Sequence, residues 1–576
     1  MRLDSRQTLN RIRFLLSVIF LVACVLVGKL YFVQIVRGDQ YSERADRQYA
    51  RPNQNTFDRG NIYFEAKDGG RVSVASVKEG FTLVINPKLL VDAEKAYTAL
   101  KPIVPTLERE SFLQKSLKKD DPYEEIMKRV SKESGTKISE LAIPGVQVYK
   151  ERWRVYPAQK LASHTVGFIG YRANDETLAG RYGLERSYEG VLTRNTNDLY
   201  VNFFAEIFSN IKKSISTETP LEGDIVATIE PTVQNAFEGI IQKMHTKWNS
   251  ELSGGIIIDP KTGEIYALAV YPTFDPNALQ NEKNSDVFTN PLVESVYEMG
   301  SIIKPITMSI GLDTGRVTAT TTYNDEGFLI FNNKKISNYD LKGRGPKTSM
   351  QEVLNQSLNT GAAFVMGQVG KDSFSRYMLD FGLGESTGID LPNEAKDLVQ
   401  NLKSTRDIEH ATAAYGQGIA MTPIATVRAL SALGNGGFLI SPHIVKEIHY
   451  SVGISKKIEP TLGKSVIKKE TSTEITRMLV QAFDTGLLGG AMKMDRYSIA
   501  AKTGTAQIAN PQGGGYYDDR NLHSFFGYFP AYNPRFLVFL YTVYPKGAKF
   551  ASETLVQPFM DTTKFLITYY EIPPDR

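Results

Sequence analysis

The stretch Tyr297–Leu312 reads YEMGSIIKPITMSIGL and places a glycine, a serine and a lysine at the start of an apolar run. Gly300 frees the backbone just before the run, which predicts that a helix begins at Ser301. The first turn of a helix leaves backbone N–H groups unpaired, and such groups can hold an oxyanion. Lys304 follows on the same helix face, so its amine can reach the Ser301 hydroxyl. The stretch therefore predicts a serine nucleophile with a lysine base.

The pattern Ser-x-x-Lys is weak by itself, because it occurs five times in the chain. Four occurrences lie in polar, lysine-rich segments without a glycine before a helix, and we interpret them as surface serines near surface lysines. They begin at Ser116, Ser134, Ser209 and Ser465. Only the occurrence at Ser301 has the local sequence of a nucleophile.

Two further patterns follow Ser301 in an informative order. Ser357-Leu358-Asn359 is a Ser-x-Asn sequence, which could be a helix cap or a turn pair if it stood alone. Lys-Thr-Gly occurs at Lys261, in a predicted turn, and at Lys502, after an apolar strand of small residues whose edge can accept a substrate chain. Enzymes that recognise penicillin carry Ser-x-x-Lys, Ser-x-Asn and Lys-Thr-Gly in this order. We therefore assign the functional role to the second Lys-Thr-Gly.

The N-terminus predicts a membrane anchor. Residues 14–36 are apolar except for Lys29, and this length suits a single membrane span. Four arginines precede the span, which predicts a cytoplasmic tail of residues 1–13 and an extracytoplasmic remainder. A cleaved signal peptide is the alternative, but the apolar run is long and no Ala-x-Ala-like site follows it.

Composition excludes several classes of function. The 576 residues carry 67 basic and 63 acidic side chains, a net charge of +4, which does not indicate a nucleic-acid binder. The one cysteine, Cys24, lies inside the predicted span, so the rest of the chain has neither disulfides nor thiolate metal sites. We expect no metal and no cofactor.

The chain outside the membrane divides at a polar segment that ends at Pro220. For residues 37–220 the sequence predicts an elongated, non-catalytic α+β pedestal, in which residues 91–142 are charged and helical. Residues 221–576 predict one α/β (α+β) domain, with strands near residues 254–270 and 524–543 that share an antiparallel sheet flanked by helices. A closing helix is expected from about Glu553 to Tyr570.

At this point the chain resembles the class B penicillin-binding proteins over nearly its whole length. Beyond the three short motifs, the resemblance rests on longer sequences at many positions. These are Arg59-Gly60, Gly183-Leu184-Glu185, Gly223 to Gln234, Asp259 to Ala269, Phe381-Gly382-Leu383-Gly384, Tyr415-Gly416-Gln417-Gly418 and Asn435-Gly436-Gly437. The resemblance implies a fold related to serine β-lactamases and a peptidoglycan D,D-transpeptidase that uses an acyl-enzyme. It also implies binding of stem peptides and β-lactams, and a separate membrane glycan polymerase as partner.

The resemblance also implies roles for individual residues. Lys304 takes the proton of Ser301, Ser357 passes it to the leaving group, and Asn359 holds the substrate amide. The terminal carboxylate binds at Lys502, Thr503, Gly504 and Thr505, and the backbone N–H groups of Ser301 and Thr505 form the oxyanion hole.

Three matters stay open at this stage. Asn359 and the run His523–Pro530 favour a division-type enzyme over an elongation type. A D,D-carboxypeptidase or β-lactamase would carry the same site with water as acceptor. A β-lactam sensor or silent scaffold is the remaining alternative.

Overall fold

Strands from both ends of the C-terminal half of the chain form one five-stranded antiparallel sheet. From edge to edge the strands are Ala500–Ala509, Tyr516–Phe529, Phe536–Val543, Leu252–Ile258 and Ile265–Tyr271. This confirms the predicted sheet. We call Ala500–Ala509 the edge strand; it pairs on one side only within the part of the chain that the structure describes.

Helices cover both faces of the sheet, and both faces are therefore apolar. In the strand Phe536–Val543, alternate side chains enter two different cores. Phe536, Val538 and Leu540 pack with the helices Pro231–Trp248 and Val556–Tyr569. Leu537, Phe539 and Tyr541 enter the core that includes the helix Lys304–Asp313. A strand buried on both faces has the continuous apolar sequence seen here.

The computed structural model describes residues 29, 57–172, 177–194, 221–510 and 512–576. No helix among these residues is long and apolar enough to cross a membrane. The span predicted at residues 14–36 lies outside them except for Lys29.

Contacts divide the chain into two compact units. Among the described residues, the first unit comprises residues 29, 57–58 and 78–153. The second comprises 59–77, 154–172, 177–194, 221–510 and 512–576. The strands Arg71–Ile85 and Val146–Val155 contribute residues to both units. The predicted domain bounds at residues 37, 220 and 221 stay a prediction.

The first unit packs helices against short strands. Its helices are Ala93–Leu100, Arg109–Ser116 and Lys132–Glu140. The strand Glu124–Val130 pairs with Phe81–Ile85, so the prediction that residues 91–142 are helical was wrong at this strand. Its sequence EEIMKRV is charged, but Ile126 and Met127 pack on the core of the unit, and this contact outweighs the polar composition.

The second unit contains the five-stranded sheet, four two-stranded sheets and most of the helices. It also contains Ile62–Glu65, Gly223–Ala227, Val445–Tyr450 and Ser455–Lys457, which are strands of a seven-stranded sheet. Its other strands are Ile62–Glu65, Ile169–Tyr171, Leu178–Gly180, Gly223–Ala227, Thr322–Asp325, Phe328–Phe331, Lys334–Ser337, Gly345–Ser349, Phe438–Ile440, Val445–Tyr450, Ser455–Lys457 and Leu462–Ser465. Its other helices are Ser163–Val166, Gly183–Ser187, Glu189–Leu192, Pro291–Glu294, Met350–Asn355, Asn359–Val369, Lys371–Asp380, Asp407–Ala413, Pro423–Gly434, Lys469–Gln481 and Ala551–Thr554. The single closing helix predicted from Glu553 is thus two helices, Ala551–Thr554 and Val556–Tyr569.

Candidate active site

The segment around Ser301 has the geometry expected of a nucleophile. A 3₁₀ turn, Gly300–Ile303, leads into the helix Lys304–Asp313, and Gly300 has a φ of +63°. A side chain at this φ would be strained, so glycine is required before the turn. Ile302 and Ile303 are buried and fix the turn, while the Ser301 side chain stays partly exposed.

A second glycine holds this turn from outside. The Gly300 N–H donates to the Gly416 carbonyl oxygen at 3.1 Å. A Cβ atom added at Gly416 would lie 2.2 Å from the Gly300 carbonyl oxygen, closer than any real contact. Only glycine therefore lets the loop Tyr415–Gly418 approach Gly300 so closely.

Lys304 is the first residue of the helix that follows the turn, and it is buried with 1% exposure. Its Nζ donates to the Ser357 carbonyl oxygen at 2.5 Å and to the Ser357 Oγ at 3.2 Å. Burial lowers the pKa of Lys304 well below its ordinary value, and the positive charge of Lys502 lowers it further. A neutral amine has two N–H donors and one lone pair. With both donors directed at Ser357, the lone pair is available to accept a proton.

Ser357 and Asn359 do not share a loop as predicted, since Asn359 is the first residue of the helix Asn359–Val369. Ser357 has a left-handed backbone with a φ of +56°, which is uncommon for a residue with a side chain and occurs often at functional sites. The two bonds from Lys304 hold Ser357 in this conformation. The Asn359 Nδ2 donates to the Ser337 carbonyl oxygen at 2.9 Å, which fixes the orientation of its amide.

The second Lys-Thr-Gly lies on the edge strand, beside the nucleophile turn. Gly504 has no room for a side chain, because an added Cβ would lie 2.4 Å from the Ser524 Oγ and 2.7 Å from the Met299 carbonyl oxygen. The Ser524 hydroxyl donates to that same carbonyl at 2.8 Å. The first Lys-Thr-Gly, at Lys261, lies in the turn between Leu252–Ile258 and Ile265–Tyr271, as predicted.

Lys502 and Thr505 present polar groups at this edge. Lys502 is 6% exposed, its Nζ donates to the Thr503 carbonyl oxygen at 3.1 Å, and burial lowers its pKa to about 8. The Thr505 Oγ1 accepts the Ala551 N–H at 3.1 Å. Because its acceptor side is occupied, the Thr505 hydroxyl proton is free to point at a ligand.

These residues meet at one cleft of about 720 Å³. Of the predicted site residues, Ser301, Ser357, Asn359, Lys502, Thr503 and Thr505 line it. Lys304 and Gly504 are buried and do not line the cleft.

The cleft also has a lining that sequence reasoning missed. It consists of Tyr339, Glu352, Leu354, Asn355, Gln356, Ala482, Thr485, Gly486, Leu487, Leu488, Ala501, Phe550, Ala551 and Ser552. These residues come from separate parts of the chain and follow no motif, so no pattern in the sequence could have joined them.

Of the four Ser-x-x-Lys sequences set aside above, Ser209 lies outside the described residues. Ser116 is buried rather than on the surface, and its hydroxyl donates to the Leu113 carbonyl oxygen at 2.7 Å.

Comparison with known families agrees with this geometry. Residues 254–561, just over half of the chain, match the penicillin binding protein transpeptidase domain, and residues 55–227 match the penicillin-binding protein dimerisation domain. The chain belongs to the class B penicillin-binding proteins.

Relatives of this penicillin-binding protein match along most of its length. It is 29% identical over 569 residues to stage V sporulation protein D of Bacillus subtilis (strain 168), covering 97% of this chain and 85% of the relative. It is 26% identical over 585 residues to the peptidoglycan D,D-transpeptidase MrdA of Acinetobacter baumannii, covering 93% of this chain and 84% of the relative. Its fold is similar to the crystal structure of penicillin binding protein 2X from Streptococcus thermophilus. The TM-score is 0.74 at 18% identity, with 90% of this chain and 80% of that one covered.

Proposed function

We propose that this protein is a peptidoglycan D,D-transpeptidase that cross-links stem peptides through an acyl-enzyme on Ser301. The observation that carries the proposal is that Ser301, Ser357 and the Lys-Thr-Gly of the edge strand line one cleft, while the buried Lys304 bonds to Ser357. The transpeptidase name of its relative MrdA supports the same reaction.

Lys304 is the proposed base. Its lowered pKa favours the neutral amine, whose lone pair can take the Ser301 proton. The Ser301 Oγ then attacks the carbonyl carbon of the penultimate D-alanine of a stem peptide. The Ser357 hydroxyl, 3.2 Å from the Lys304 Nζ, lies where it can pass the proton to the departing amine of the terminal D-alanine.

The developing oxyanion needs two hydrogen-bond donors, and we propose the backbone N–H groups of Ser301 and Thr505. The close packing of Gly300 on the edge strand supports this pairing, because a Cβ added at Gly300 would lie 2.8 Å from the Thr505 carbonyl oxygen. The terminal carboxylate of the donor would bind Lys502 and the hydroxyls of Thr503 and Thr505. Asn359 would hold the substrate amide, and the unpaired side of the edge strand would accept the peptide backbone.

We further propose the cellular setting from the sequence. Residues 14–36 would anchor the protein in the cytoplasmic membrane with the catalytic domain outside the cytoplasm, beside a membrane glycan polymerase. Asn359 and the run His523–Pro530 support a role in division rather than elongation. Residues 37–220 would serve as the non-catalytic pedestal.

A labelling experiment tests the nucleophile. A fluorescent penicillin should label the wild-type protein, and peptide mapping by mass spectrometry should place the adduct on Ser301. Ser301→Ala should lose the label entirely. Ser465→Ala is the matched control, since Ser465 begins another Ser-x-x-Lys sequence on an exposed strand, and it should label like the wild type. Full labelling of Ser301→Ala would falsify the assignment.

Product analysis tests the reaction. Incubation with stem peptides that carry both a D-Ala–D-Ala end and a free amine should yield cross-linked dimers. Trimmed monomers alone would instead assign the protein to the D,D-carboxypeptidases.

A further inference from the structure

One part of the catalytic cleft has no role in the formation of the acyl-enzyme. We call it the Glu352 arm; it is lined by Glu352, Asn355, Gln356 and the segment Thr485–Leu488. The arm adjoins the catalytic residues through the chain itself. The Gln356 N–H donates to the Glu352 carbonyl oxygen at 2.9 Å, and Ser357 follows directly.

The two walls of the arm are packed together closely. A Cβ added at Gly486 would lie 2.8 Å from the Asn355 carbonyl oxygen, so the backbones of the two walls meet there. Leu488 has a left-handed backbone with a φ of +49° and a side chain that is 51% exposed at the cleft. The lining of the arm thus includes the apolar Leu487 and Leu488 and the carboxylate of Glu352.

The charge of Glu352 is not neutralised by a cation. Its two oxygens accept only neutral amide donors, from Asn355 Nδ2 at 2.8 Å and Gln356 Nε2 at 2.7 Å. Arg344 forms an ion pair with Asp340 at 2.8 Å and contacts the Gln356 Oε1 instead. No salt bridge to Glu352 exists among the residues that the structure describes.

The cleft therefore carries one side chain of each charge. Among its lining residues, within the described chain, Lys502 is the only cation and Glu352 the only anion. The proposed function assigns Lys502 to the carboxylate of the donor peptide. Its second substrate is an amine, which is a cationic ammonium near neutral pH.

We propose that the Glu352 arm is the acceptor subsite, in which Glu352 binds the ammonium of the incoming amine and Leu487 and Leu488 cover its alkyl chain. This inference rests on the proposed transpeptidase function. A carboxylate that accepts one bond from each of two amides keeps further lone pairs free, and a charge-assisted bond to an ammonium is stronger than one to a neutral donor.

In the transfer step, the amine replaces Ser301 on the acyl carbon. The bound ammonium loses one proton to solvent, and its nitrogen forms a bond to the acyl carbon. The bond between that carbon and the Ser301 Oγ breaks. A second proton from the nitrogen passes through Lys304 to restore the Ser301 hydroxyl, which leaves an amide and the free enzyme.

Competition between an amine and water for the acyl-enzyme tests the subsite. The donor is an N-acylated D-alanyl thioester whose leaving group carries a carboxylate, and the acceptor is Nα-acetyl-lysine amide. Glu352→Gln removes the charge but keeps the shape. Glu470→Gln is the matched control, because Glu470 is an exposed carboxylate outside the cleft. Wild type and both variants are assayed for transfer, hydrolysis and labelling by fluorescent penicillin.

We expect Glu352→Gln to lower the ratio of transfer to hydrolysis about tenfold, which corresponds to about 1.4 kcal/mol, and to raise the KM for the amine. Its rate of penicillin labelling and its KM for the thioester should stay at wild-type values, which shows that the donor site is intact. Glu470→Gln should match the wild type in every assay.

Two results would overturn the subsite while leaving the proposed function standing. One is an unchanged transfer ratio in Glu352→Gln, and the other is a raised KM for the thioester in place of the amine. A wild-type protein that is labelled but transfers the acyl group to no amine would instead overturn the proposed function, and the subsite with it.

Discussion

The side chains of Lys304 and Lys502 show how burial divides two like residues between two roles. Both are almost fully buried in the same cleft region, yet the pKa of Lys304 is lowered further because the charge of Lys502 adds to its burial. The additional effect of Lys502 favours the neutral form of Lys304. This difference suits Lys304 to the role of a base and Lys502 to the role of a carboxylate-binding cation.

The pKa of Lys502, lowered to about 8, predicts an alkaline limb in the pH profile of acylation. Lys502 is cationic below this pH and neutral above it, so binding of a ligand carboxylate should weaken as the pH rises through 8. The second-order rate constant for penicillin acylation, measured from pH 6 to pH 10, should therefore fall above pH 8.

Lys502→Arg should remove this limb, because a guanidinium stays protonated throughout the range. Lys261→Arg, in the other Lys-Thr-Gly sequence, is the control and should keep the wild-type profile. A limb that persists in Lys502→Arg would show that another group titrates.

Among the elements, the short helix Gly183–Ser187 is held by charge rather than by apolar contacts alone. Glu185 is fully buried and accepts from Arg59 Nε at 2.5 Å and from Arg154 Nε at 2.6 Å. The Arg154 guanidinium also donates to the Gly60 carbonyl oxygen at 2.7 Å. The sequences Arg59-Gly60 and Gly183-Leu184-Glu185, far apart in the chain, thus meet in one buried network.

Loss of the Glu185 carboxylate should destabilise this part of the protein strongly. Glu185→Gln removes the carboxylate that the buried guanidinium groups of Arg59 and Arg154 share and leaves Arg59 paired with Glu189. Breaking a buried ion pair costs about 3–5 kcal/mol. Asp380→Asn is the control; its pair with Lys464 is about half exposed and should contribute less than about 1 kcal/mol. Amide hydrogen exchange in peptides that cover residues 183–192 measures the difference, and equal exchange in both variants would contradict the network's role.

At the scale of the whole molecule, the two compact units have separate apolar cores. The core of the first unit consists of residues between Leu83 and Ile138, while the cores on either face of the five-stranded sheet lie in the second unit. All the residues that line the cleft also belong to the second unit. Packing in the first unit should therefore affect local stability without changing the chemistry at Ser301.

Phe112→Ala tests this separation. Phe112 is 1% exposed in the core of the first unit, and truncation of a buried phenylalanine costs about 3–5 kcal/mol. Hydrogen exchange should accelerate in the helix Ala93–Leu100, while the rate of penicillin acylation stays within about twofold of wild type. Leu117→Ala, at a residue that is 75% exposed, should change neither quantity. A large loss of acylation in Phe112→Ala would show that the units are coupled.

The amino-acid sequence alone predicted Ser301 as the nucleophile and Lys304 as the base, and it determined the sheet of terminal strands. These follow from local rules: a glycine before an apolar run, a three-residue spacing on a helix, and apolar strands bounded by turns. The strand Glu124–Val130 was missed because its packing contacts with the core of the first unit outweigh its polar composition.

Only the tertiary structure decided which residues from distant parts of the chain meet, both at Ser301 and elsewhere. Gly416 approaches Gly300, Glu352 enters the cleft, and Glu185 joins Arg59 and Arg154 through contacts between distant parts of the chain. Such contacts leave no spacing in the sequence, because the distance between two side chains depends on how every intervening element packs.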